Sequence, residues 1–400
     1  MSPTHEQTQA LTRNVGAVRF AQNEMLQYVK ENLETGTKIS WTYFSLIGEW
    51  GNRREEVAPW HQECSSRAYL DGCNRLATSL KNWNSSRSGK RKGQKVGFPH
   101  FRRRGSNDSW TFCDGYVSKD GLSVQVPRIG KIKLAERLDI PENGRVTTLN
   151  VRSRAGRWFV SARVREDSWI APEKKTGNLA VGIDLGISDR IAVMYDSNGK
   201  TTEIENPRFF RSDEDKIAKA SRNVSKKKKG SKNREKARKK LSVVHYRVAC
   251  RRQDFLHKFT TDLVKTHDQI VLEDLNVKGM SSRKGFKLGK SVNDAAMSEI
   301  RRQVTYKCEW YGTELIIADR WYASSKNCSG CGTKNTELTL GDREWCCSTC
   351  GMIHDRDKNA AKNLMNLAGS SSVSACGADV SQGSSLQSVE KQENPNDVGV

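Results

Sequence analysis

The first hundred residues carry apolar side chains at helical spacing. One stripe runs from Leu11 to Val29, and a second, more regular stripe runs from Trp60 to Trp83. Apolar residues three and four positions apart lie on one face of an α-helix. The pattern therefore predicts amphipathic helices that pack against one another, and we expect a helical domain over residues 1–105.

The period then changes from helical to alternating. Leu122, Val124 and Val126 alternate with polar residues, and so do the apolar residues that begin at Trp158. A period of two is typical of half-buried β-strands, and Pro and Gly residues mark the turns between them. We expect a small β domain over residues 106–175, in the form of a barrel.

After residue 178 the strands and helices follow an informative order. Apolar runs mark the strands, and long polar stretches with periodic apolar positions mark the helices. The predicted strands are 179–184, 190–195, 201–204, 269–275 and 314–318, and the predicted helices are 211–266, 292–311 and 357–367. Three strands, helix, strand, helix, strand, helix is the element order of RNase H-like nucleases. This order mixes antiparallel and parallel pairing, so the predicted fold class is α/β.

Charge narrows the range of partners. The 400 residues include 68 Lys and Arg against 46 Asp and Glu, which gives a net charge of +22 at pH 7. A surplus of this size predicts a polyanionic partner. No run of 18 apolar residues or secretory signal is visible, so we expect a cytoplasmic protein with no membrane partner. The polar tail over 369–400 is predicted to be disordered.

Two basic segments are candidates for nucleic-acid contact. The run SKKKKGSKNREKARKK over 225–240 has a single acidic residue, and the loop before Gly105 ends in three arginines close to Phe98 and Phe101. Basic groups fix phosphates, and aromatic rings can stack on unpaired bases. A solvated helix face gives a similar run, but the density of charge favours binding. The candidate residues are Arg102, Arg103, Arg104, Lys226, Lys227, Lys228, Lys229, Lys232, Arg234, Lys236, Arg238, Lys239 and Lys240.

Three carboxylates occupy positions that suit catalysis. Asp184 ends the first strand of the α/β segment, Glu273 ends the fourth, and Asp357 opens the last helix. Each motif alone is weak, because such residues are commonly turn or cap residues. An RNase H-like fold brings the three together at one end of its sheet. Clustered carboxylates bind Mg²⁺, and two ions held in this way activate a water and stabilise the leaving oxygen of a phosphodiester.

Other acidic residues compete for these roles. Asp274 is next to Glu273, but adjacent residues of a strand point to opposite faces, so we prefer Glu273. Asp355 lies just before the last helix and could orient a metal ligand without binding the metal itself. Asp189 follows the first strand closely and is a further competitor.

A cysteine pattern predicts a metal site. Cys328 and Cys331 form one C-x-x-C pair, and Cys347 and Cys350 form a second pair fifteen residues further on. This spacing is typical of a zinc ribbon, in which four thiolates close a tetrahedral site and leave no open position. The predicted zinc is therefore structural. Cys346 could compete with its neighbour, but only Cys347 gives the intact motif.

Together these motifs closely resemble the TnpB family of transposon-encoded RNA-guided nucleases and the related compact type V CRISPR effectors. The matching stretches include G-Q-K-V-G-F-P-H-F-R-R-R, V-G-I-D-L-G-I, V-L-E-D-L-N-V, D-R-W-Y-A-S-S-K-N-C-S-G-C-G and H-D-R-D-K-N-A-A-K-N-L. The resemblance implies an RNA-guided DNA endonuclease whose guide RNA pairs with double-stranded target DNA beside a short DNA motif. It also implies that the catalytic acids are Asp184, Glu273 and Asp357.

The resemblance further implies a domain order. The expected domains are a helical recognition lobe over 1–105, a β-barrel wedge domain over 106–175, a RuvC core over 176–322, a zinc-ribbon insertion that binds target nucleic acid over 323–354, the last RuvC helix over 355–368 and the tail over 369–400. Family members usually begin with a strand of the type K-x-F-R-L-Y-P, whereas this chain begins at Met1. Either the wedge barrel lacks a strand or the start is displaced.

Two other functions remain as alternatives. A nuclease-dead RNA-guided repressor would bind DNA without cutting it, although the presence of all three acids argues against this interpretation. A protein-only transposase or resolvase could use the same fold, because RNase H-like folds carry out several functions. The basic segments favour the RNA-guided endonuclease. The oligomeric state is not predicted.

Overall fold

The computed structural model describes residues 1–105, 108–166, 179–282, 289–339 and 341–369. Two compact units divide the chain: Met1–Ile170 with Asp213–Ala249 form the first unit, and Ala171–Ser212 with Cys250–Val400 form the second unit. The tail that the sequence predicts to be disordered lies, from residue 370 onward, outside the described ranges. Among the helices described, none combines the length and the apolar character that crossing a membrane requires.

Three helices open the first unit: the two apolar stripes predict the first and the third, and the second helix lies between them. Thr4 caps the first helix, because its hydroxyl accepts the Gln7 amide at 3.2 Å while the Gln7 side chain accepts the Thr4 amide at 3.0 Å. At Gly72 the first and third helices pack backbone to backbone, since a Cβ there would lie 2.4 Å from the Val18 carbonyl oxygen. The helices are α1 (His5–Glu34), α2 (Tyr43–Val57) and α3 (Ser66–Arg87).

The β part of the first unit consists of two three-stranded antiparallel sheets in the residues described. The strands are β1 (Ser109–Phe112), β2 (Tyr116–Val117), β3 (Ser123–Val126), β4 (Gly130–Lys133), β5 (Arg145–Arg154) and β6 (Arg157–Arg165). One sheet has the order β1-β5-β6 and the other β2-β3-β4. Ala155 and Gly156 both have positive φ, as the two-residue hairpin between β5 and β6 requires. The chain start contacts both sheets: the Met1 amino group donates to Trp158, and the Ser2 amide donates to Lys133.

A five-stranded mixed sheet forms the centre of the second unit. Its strands are β7 (Ala180–Leu185), β8 (Arg190–Asp196), β9 (Thr201–Glu205), β10 (Gln269–Glu273) and β11 (Glu314–Ala318). Their order in the sheet is β11-β10-β7-β8-β9. β7, β10 and β11 are parallel, while β8 and β9 are antiparallel additions. All five predicted strands are present, and their connection gives the mixed α/β class that the sequence predicts.

The helices differ from the prediction in two places. The stretch expected as one helix over 211–266 is divided into three, and Asp213–Ala249 belongs to the first unit. The helix expected over 292–311 is interrupted at Ala296, which has φ 53°. The helices are α4 (Phe209–Ser212), α5 (Glu214–Ser225), α6 (Lys232–Thr266), α7 (Val277–Ser282), α8 (Gly289–Ala295), α9 (Met297–Tyr311) and α10 (Arg356–Asn366).

A two-stranded antiparallel ribbon precedes α10. Its strands are β12 (Glu344–Cys346) and β13 (Ile353–Asp355). The ribbon and the loop before it lie between β11 and α10 in sequence. They therefore occupy the position at which the sequence predicts an insertion.

Candidate active site and metal centre

Two of the predicted acids lie side by side at the edge where the parallel strands end. Leu272 is paired with Ile183, so the next residues along, Glu273 and Asp184, are level with each other. Neighbouring strands are about 4.8 Å apart, and residues in register on parallel strands point to the same face. The sheet register therefore brings these two carboxylates together.

The third acid reaches the same place because of Gly182. This glycine lies two residues before Asp184 and so on the same face of the sheet. A Cβ on Gly182 would lie 2.2 Å from the Met365 amide nitrogen and 2.3 Å from the Ala361 carbonyl oxygen. α10 thus packs directly on the β7 backbone, and Asp357, one turn before Ala361, lies above Asp184.

The three carboxylates interact electrostatically. Burial raises the pKa of Asp184 well above its ordinary value, and the negative charges of Glu273 and Asp357 raise it further. Burial also raises the pKa of Glu273, against the lowering effect of a hydrogen bond from the Ser324 hydroxyl. Negative charges held this close together repel one another, and a bound cation would offset that repulsion.

Asp357 is held by two arginines. Arg343 donates to one carboxylate oxygen at 3.2 Å, and Arg356 donates to the other at 3.3 Å. Arg343 also donates to the Ser188 hydroxyl at 2.9 Å, which links the ribbon to the loop after β7. Periodicity and motif spacing did not identify Arg343, Arg356 or Ser324 as functional residues. The one signal in the sequence that could have found them was their position within the acidic and cysteine motifs.

Asp355 caps α10. Its side chain accepts the amides of Asp357 and Lys358, both at 3.0 Å, and pairs with Arg190 at 3.1 Å. Burial alone would raise its pKa, but the Lys358 amide and the Arg190 guanidinium outweigh burial and hold the pKa below its ordinary value. This carboxylate therefore fixes the start of the helix that carries Asp357.

The other two competitors are turned to arginines. Asp274 pairs with both Arg301 and Arg320. Asp189 pairs with Arg208 at 2.6 Å, and its side chain is 88% exposed.

Four cysteines form the predicted metal-binding group. In the described part of the chain, only the Sγ atoms of Cys328, Cys331, Cys347 and Cys350 bring three or more ligand atoms all within 4.8 Å of one another. Two of their separations are 3.6 Å and 3.5 Å. A tetrahedral site with Zn–S distances of about 2.3 Å requires Sγ atoms about 3.8 Å apart, so the group fits zinc. Cys346 instead turns its Sγ towards the Gly351 carbonyl oxygen, at 3.4 Å.

Neighbouring groups move the pKa values of the cluster in both directions. Backbone hydrogen bonds lower the pKa of Cys347. The Met352 amide acts in the same direction on Cys350, but hydrogen bonds with the other cysteines outweigh it and raise the pKa of Cys350 to about 12. Hydrogen bonds from the Thr333 hydroxyl and amide lower the pKa of Cys331 to about 6. The His354 ring nitrogen lies 3.0 Å from the Cys328 Sγ. Thiolate is the form of cysteine that binds metal.

Two asparagines of α10 connect the segment that leads to the cysteine cluster with the helix of the carboxylate site. Asn359 and Asn363, four residues apart on one helix face, both donate to the Asn327 carbonyl oxygen, at 2.7 Å and 2.6 Å. Asn363 also donates to the Ser324 carbonyl oxygen at 2.7 Å. The helix that places Asp357 therefore also positions the segment between β11 and the first cysteine. The spacing N-x-x-x-N was the signal in the sequence that could have found them.

The basic residues of the first unit are at the surface. Lys226–Lys229 form the exposed loop between α5 and α6, and Arg234 bridges this loop by donating to the Lys227 carbonyl oxygen at 2.8 Å. The Asn23 side chain exchanges two hydrogen bonds with the Arg102 backbone, at 2.7 Å and 3.0 Å. These bonds anchor residues 102–104, the arginine segment, to α1. Exposed basic residues of this segment and of α6 are Arg102, Arg103, Arg104, Lys232, Lys236, Arg238, Lys239 and Lys240.

Three family models match this chain. One described as "Probable transposase" covers residues 159–284, and a helix-turn-helix domain of the same group covers 1–38. A third, "Cas12f1-like, TNB domain", covers 298–364, which includes the cysteine cluster and most of α10.

Curated relatives match over most of the chain. A Streptomyces pristinaespiralis protein named "Putative RNA-guided DNA endonuclease" is 39% identical over 384 residues, covering 94% of this chain and 89% of that protein. An Escherichia coli protein of the same description is 28% identical and covers 97% and 95%. A TnpB-like protein of Acanthamoeba polyphaga mimivirus is 31% identical over 200 residues, 46% of this chain and 36% of that protein. The chain belongs to the TnpB family.

Proposed function

We propose that the protein is an RNA-guided DNA endonuclease that hydrolyses phosphodiester bonds at the site formed by Asp184, Glu273 and Asp357. The observation that carries this proposal is the meeting of the three acids at one sheet edge, where burial and then the charges of Glu273 and Asp357 raise the pKa of Asp184. The strand order of the second unit supports its assignment as an RNase H-like, RuvC-type core. The relatives named as RNA-guided DNA endonucleases support the same reaction.

The donor set fits divalent cations. The three acids offer hard oxygen ligands, which suit Mg²⁺, and a cation would offset the repulsion within the cluster. Two Mg²⁺ ions held by these acids would supply an activated water and stabilisation of the leaving oxygen.

The protein's own side chains prepare this site. Ser324 orients Glu273 by its hydrogen bond, and Asp355 fixes the start of the helix that carries Asp357. Arg343 and Arg356 neutralise Asp357 in the absence of other cations. Arg343 has a half-exposed side chain, so it is also placed to contact a phosphate of the substrate.

We assign the cysteine cluster to one structural Zn²⁺. Four thiolates leave no open coordination position, so this metal would have no catalytic role. Its effect would be to hold the ribbon beside the active site, where the ribbon could guide nucleic acid. The hydrogen bonds of Asn359 and Asn363 support this coupling.

The first unit is the proposed site of guide RNA and target DNA binding. We assign helices α1 to α3 to the recognition lobe over 1–105 and strands β1 to β6 to the wedge domain over 106–175. The exposed basic residues of the arginine segment, of the Lys226–Lys229 loop and of α6 would contact phosphates of the guide RNA or of its hybrid with DNA. In such systems base pairing reads the sequence, while the protein holds the duplex by shape and charge.

Sequencing of copurified RNA tests whether the protein is RNA-guided. The protein is expressed together with its native flanking locus, and the RNA that copurifies is sequenced and then used to design a matched plasmid. We expect a discrete RNA species and cleavage of the matched plasmid alone. Protein that cuts DNA without RNA would favour the transposase or resolvase alternative. RNA-dependent binding without cleavage would favour the repressor.

The basic loop can be tested by the salt dependence of binding. Replacing Lys226–Lys229 with glutamine should weaken RNA binding and reduce the slope of log K against log salt by about 0.7–0.9 for each phosphate that the loop no longer neutralises. Lys200→Gln, which removes an exposed lysine from the turn between β8 and β9, serves as the control and should leave the slope unchanged. An unchanged slope in the loop variant would make that loop a solvated surface.

A further inference from the structure

The segment that follows β11 is fastened to the active-site edge at two points. Ala318, the last residue of β11, is level with Glu273. Beyond it, Arg320 donates to Asp274 at 2.5 Å, and the Ser324 hydroxyl donates to Glu273. The residues between these two contacts are therefore held next to the carboxylate site.

Trp321 lies in this segment and points into solvent. Its side chain is 86% exposed, although a tryptophan side chain gains more from burial than almost any other. Its backbone is fixed, because its amide donates to the Asp319 carboxylate at 2.7 Å and the next residue, Tyr322, is anchored through its hydroxyl to the Asn363 carbonyl oxygen. An exposed ring on a fixed backbone is the arrangement expected of a binding surface.

Another exposed tryptophan of the second unit differs in this respect. Trp310 is 52% exposed and packs edge-on against Tyr306, with ring centroids 4.7 Å apart. It lies near the end of α9. One part of its ring packs against Tyr306, and the rest is exposed to solvent. This difference makes Trp310 a suitable control for Trp321.

We propose that Trp321 and Arg320 form a base-stacking subsite for the single DNA strand that enters the carboxylate site. The ring would stack on a base close to the reacting phosphate, while Arg320, half exposed, would face the backbone of the same strand. Aromatic rings stack on any base, so the subsite tolerates every sequence, as a guide-directed nuclease requires. This inference rests on the proposed function, and it makes Trp321 a positioning residue.

The chemistry at this edge favours an unpaired nucleic-acid strand over other occupants. Arg320 and Arg301 both pair with Asp274, and their side chains remain 50% and 40% exposed. An exposed ring beside two partly exposed guanidinium groups matches a strand that offers both π faces and phosphates. A second copy of this chain, with its net charge of +22, would be repelled by those groups.

Fluorescence reports the stacking directly. Guide-loaded protein carrying Asp184→Ala is bound to matched DNA in which 2-aminopurine replaces bases, one at a time, around the cleavage position. Stacking on the ring quenches 2-aminopurine at one or a few positions. We expect Trp321→Ala to restore that emission and Trp321→Phe to keep most of the quenching. Trp310→Ala should change nothing.

Cleavage provides the second measurement. In otherwise wild-type protein, Trp321→Ala should slow single-turnover cleavage by about 5- to 150-fold, which corresponds to the removal of one base-stacking interaction. An abasic nucleotide at the quenched position should remove the difference between Trp321→Ala and the wild type. Unchanged zinc content and thermal unfolding would exclude a folding defect.

The outcomes separate the subsite from the proposed function. If wild-type protein cleaves while Trp321→Ala matches it in both emission and rate, the subsite is overturned and the nuclease stands. If Trp321→Ala changes only the oligomeric state, the ring is an interface between copies and the subsite is again overturned. Absence of guide-directed cleavage in the wild type would overturn the proposed function as well.

Discussion

At the scale of single residues, the active site depends on a glycine as much as on its acids. Gly182 allows α10 to rest on the β7 backbone, and that packing sets the height of Asp357 above Asp184. The acids were predictable from the sequence because strand ends and a helix start are visible as patterns. The arginines around Asp357 were not, because their role follows from interactions between distant segments, such as the one between Arg343 and Ser188.

Gly182→Ala should damage both stability and catalysis. The added methyl group would overlap backbone atoms of α10 at 2.2–2.3 Å, and overpacking of this kind costs about 1–3 kcal/mol. We expect a lower unfolding free energy of the second unit by urea denaturation and slower DNA cleavage, since Asp357 moves with its helix. Gly51→Ala is the control: its Cβ would meet nothing within 4 Å inside α2, so a gain of about 0.5–1 kcal/mol and normal cleavage are expected. Equal stability and activity of Gly182→Ala and the wild type would refute the packing argument.

Lys307 gives the second unit a pH dependence. This side chain is 4% exposed and donates to Thr260, Thr261 and the His257 carbonyl oxygen, at 2.6, 2.7 and 3.0 Å. Burial lowers its pKa from 10.5 to about 8. Between those two values the unfolded chain binds more protons than the folded chain, so the contribution of Lys307 to stability rises with pH. Below pH 8 its destabilising effect is fully present.

Comparison with Lys307→Met measures this effect. From pH 7.5 to pH 9.5, the unfolding free energy of the wild type should rise by about 2 kcal/mol relative to that of the variant. The exposed Lys258, replaced in the same way, should show no such relative change. A wild-type-minus-variant difference that is independent of pH would show that Lys307 stays charged.

At the scale of elements, periodicity located the strands better than the helix boundaries. In the central sheet of the second unit, β7, β8, β10 and β11 contain short apolar runs, and β9 follows the tight Asp-Ser-Asn-Gly turn, so little choice of position remains. The break between α8 and α9 has no signal in the sequence, because Ala295 and Ala296 are good helix formers. Tertiary contacts hold the end of α8 at this break: the buried Asp294 accepts the Phe210 amide at 2.9 Å and pairs with Arg252 at 3.1 Å.

The cysteine cluster makes a metal prediction at this scale. Purified protein should contain one zinc per chain, and Cys350→Ser should lose it and destabilise the ribbon, because metal binding and folding of such modules are coupled. Cys346→Ser should keep the metal, since that Sγ is turned to Gly351. Elemental analysis decides the question. Protein that lacks zinc when freshly purified, or a Cys350→Ser variant that retains it, would contradict the assignment.

At the scale of the whole molecule, sequence order and structural units do not coincide. Asp213–Ala249 follows the first three strands of the second unit in sequence but belongs to the first unit. Within the first unit, Tyr246 of α6 meets the β5–β6 hairpin through Phe159, with ring centroids 5.7 Å apart, and through Arg154. Such long-range packing leaves no periodic trace in the sequence. The basic loop consequently lies in the unit proposed to bind nucleic acid.

The central claim is that Asp184, Glu273 and Asp357 act together in metal-dependent cleavage by a protein whose DNA binding is separate. The most direct measurement is cleavage of a guide-matched plasmid in Mg²⁺ by the three single alanine variants, beside a binding assay on the same DNA. Asp189→Ala, which removes an exposed carboxylate that pairs with Arg208, is the control. Each of the three variants should lose cleavage and keep guide-directed binding, because the cations that they place stabilise both the water and the leaving oxygen. The control should cut normally, and Ca²⁺ should support binding with little cleavage. If Asp274→Ala were inactive while Glu273→Ala cut normally, the assignment on β10 would be one residue out; if all three single variants cut at the wild-type rate in Mg²⁺, the account of the active site would be contradicted.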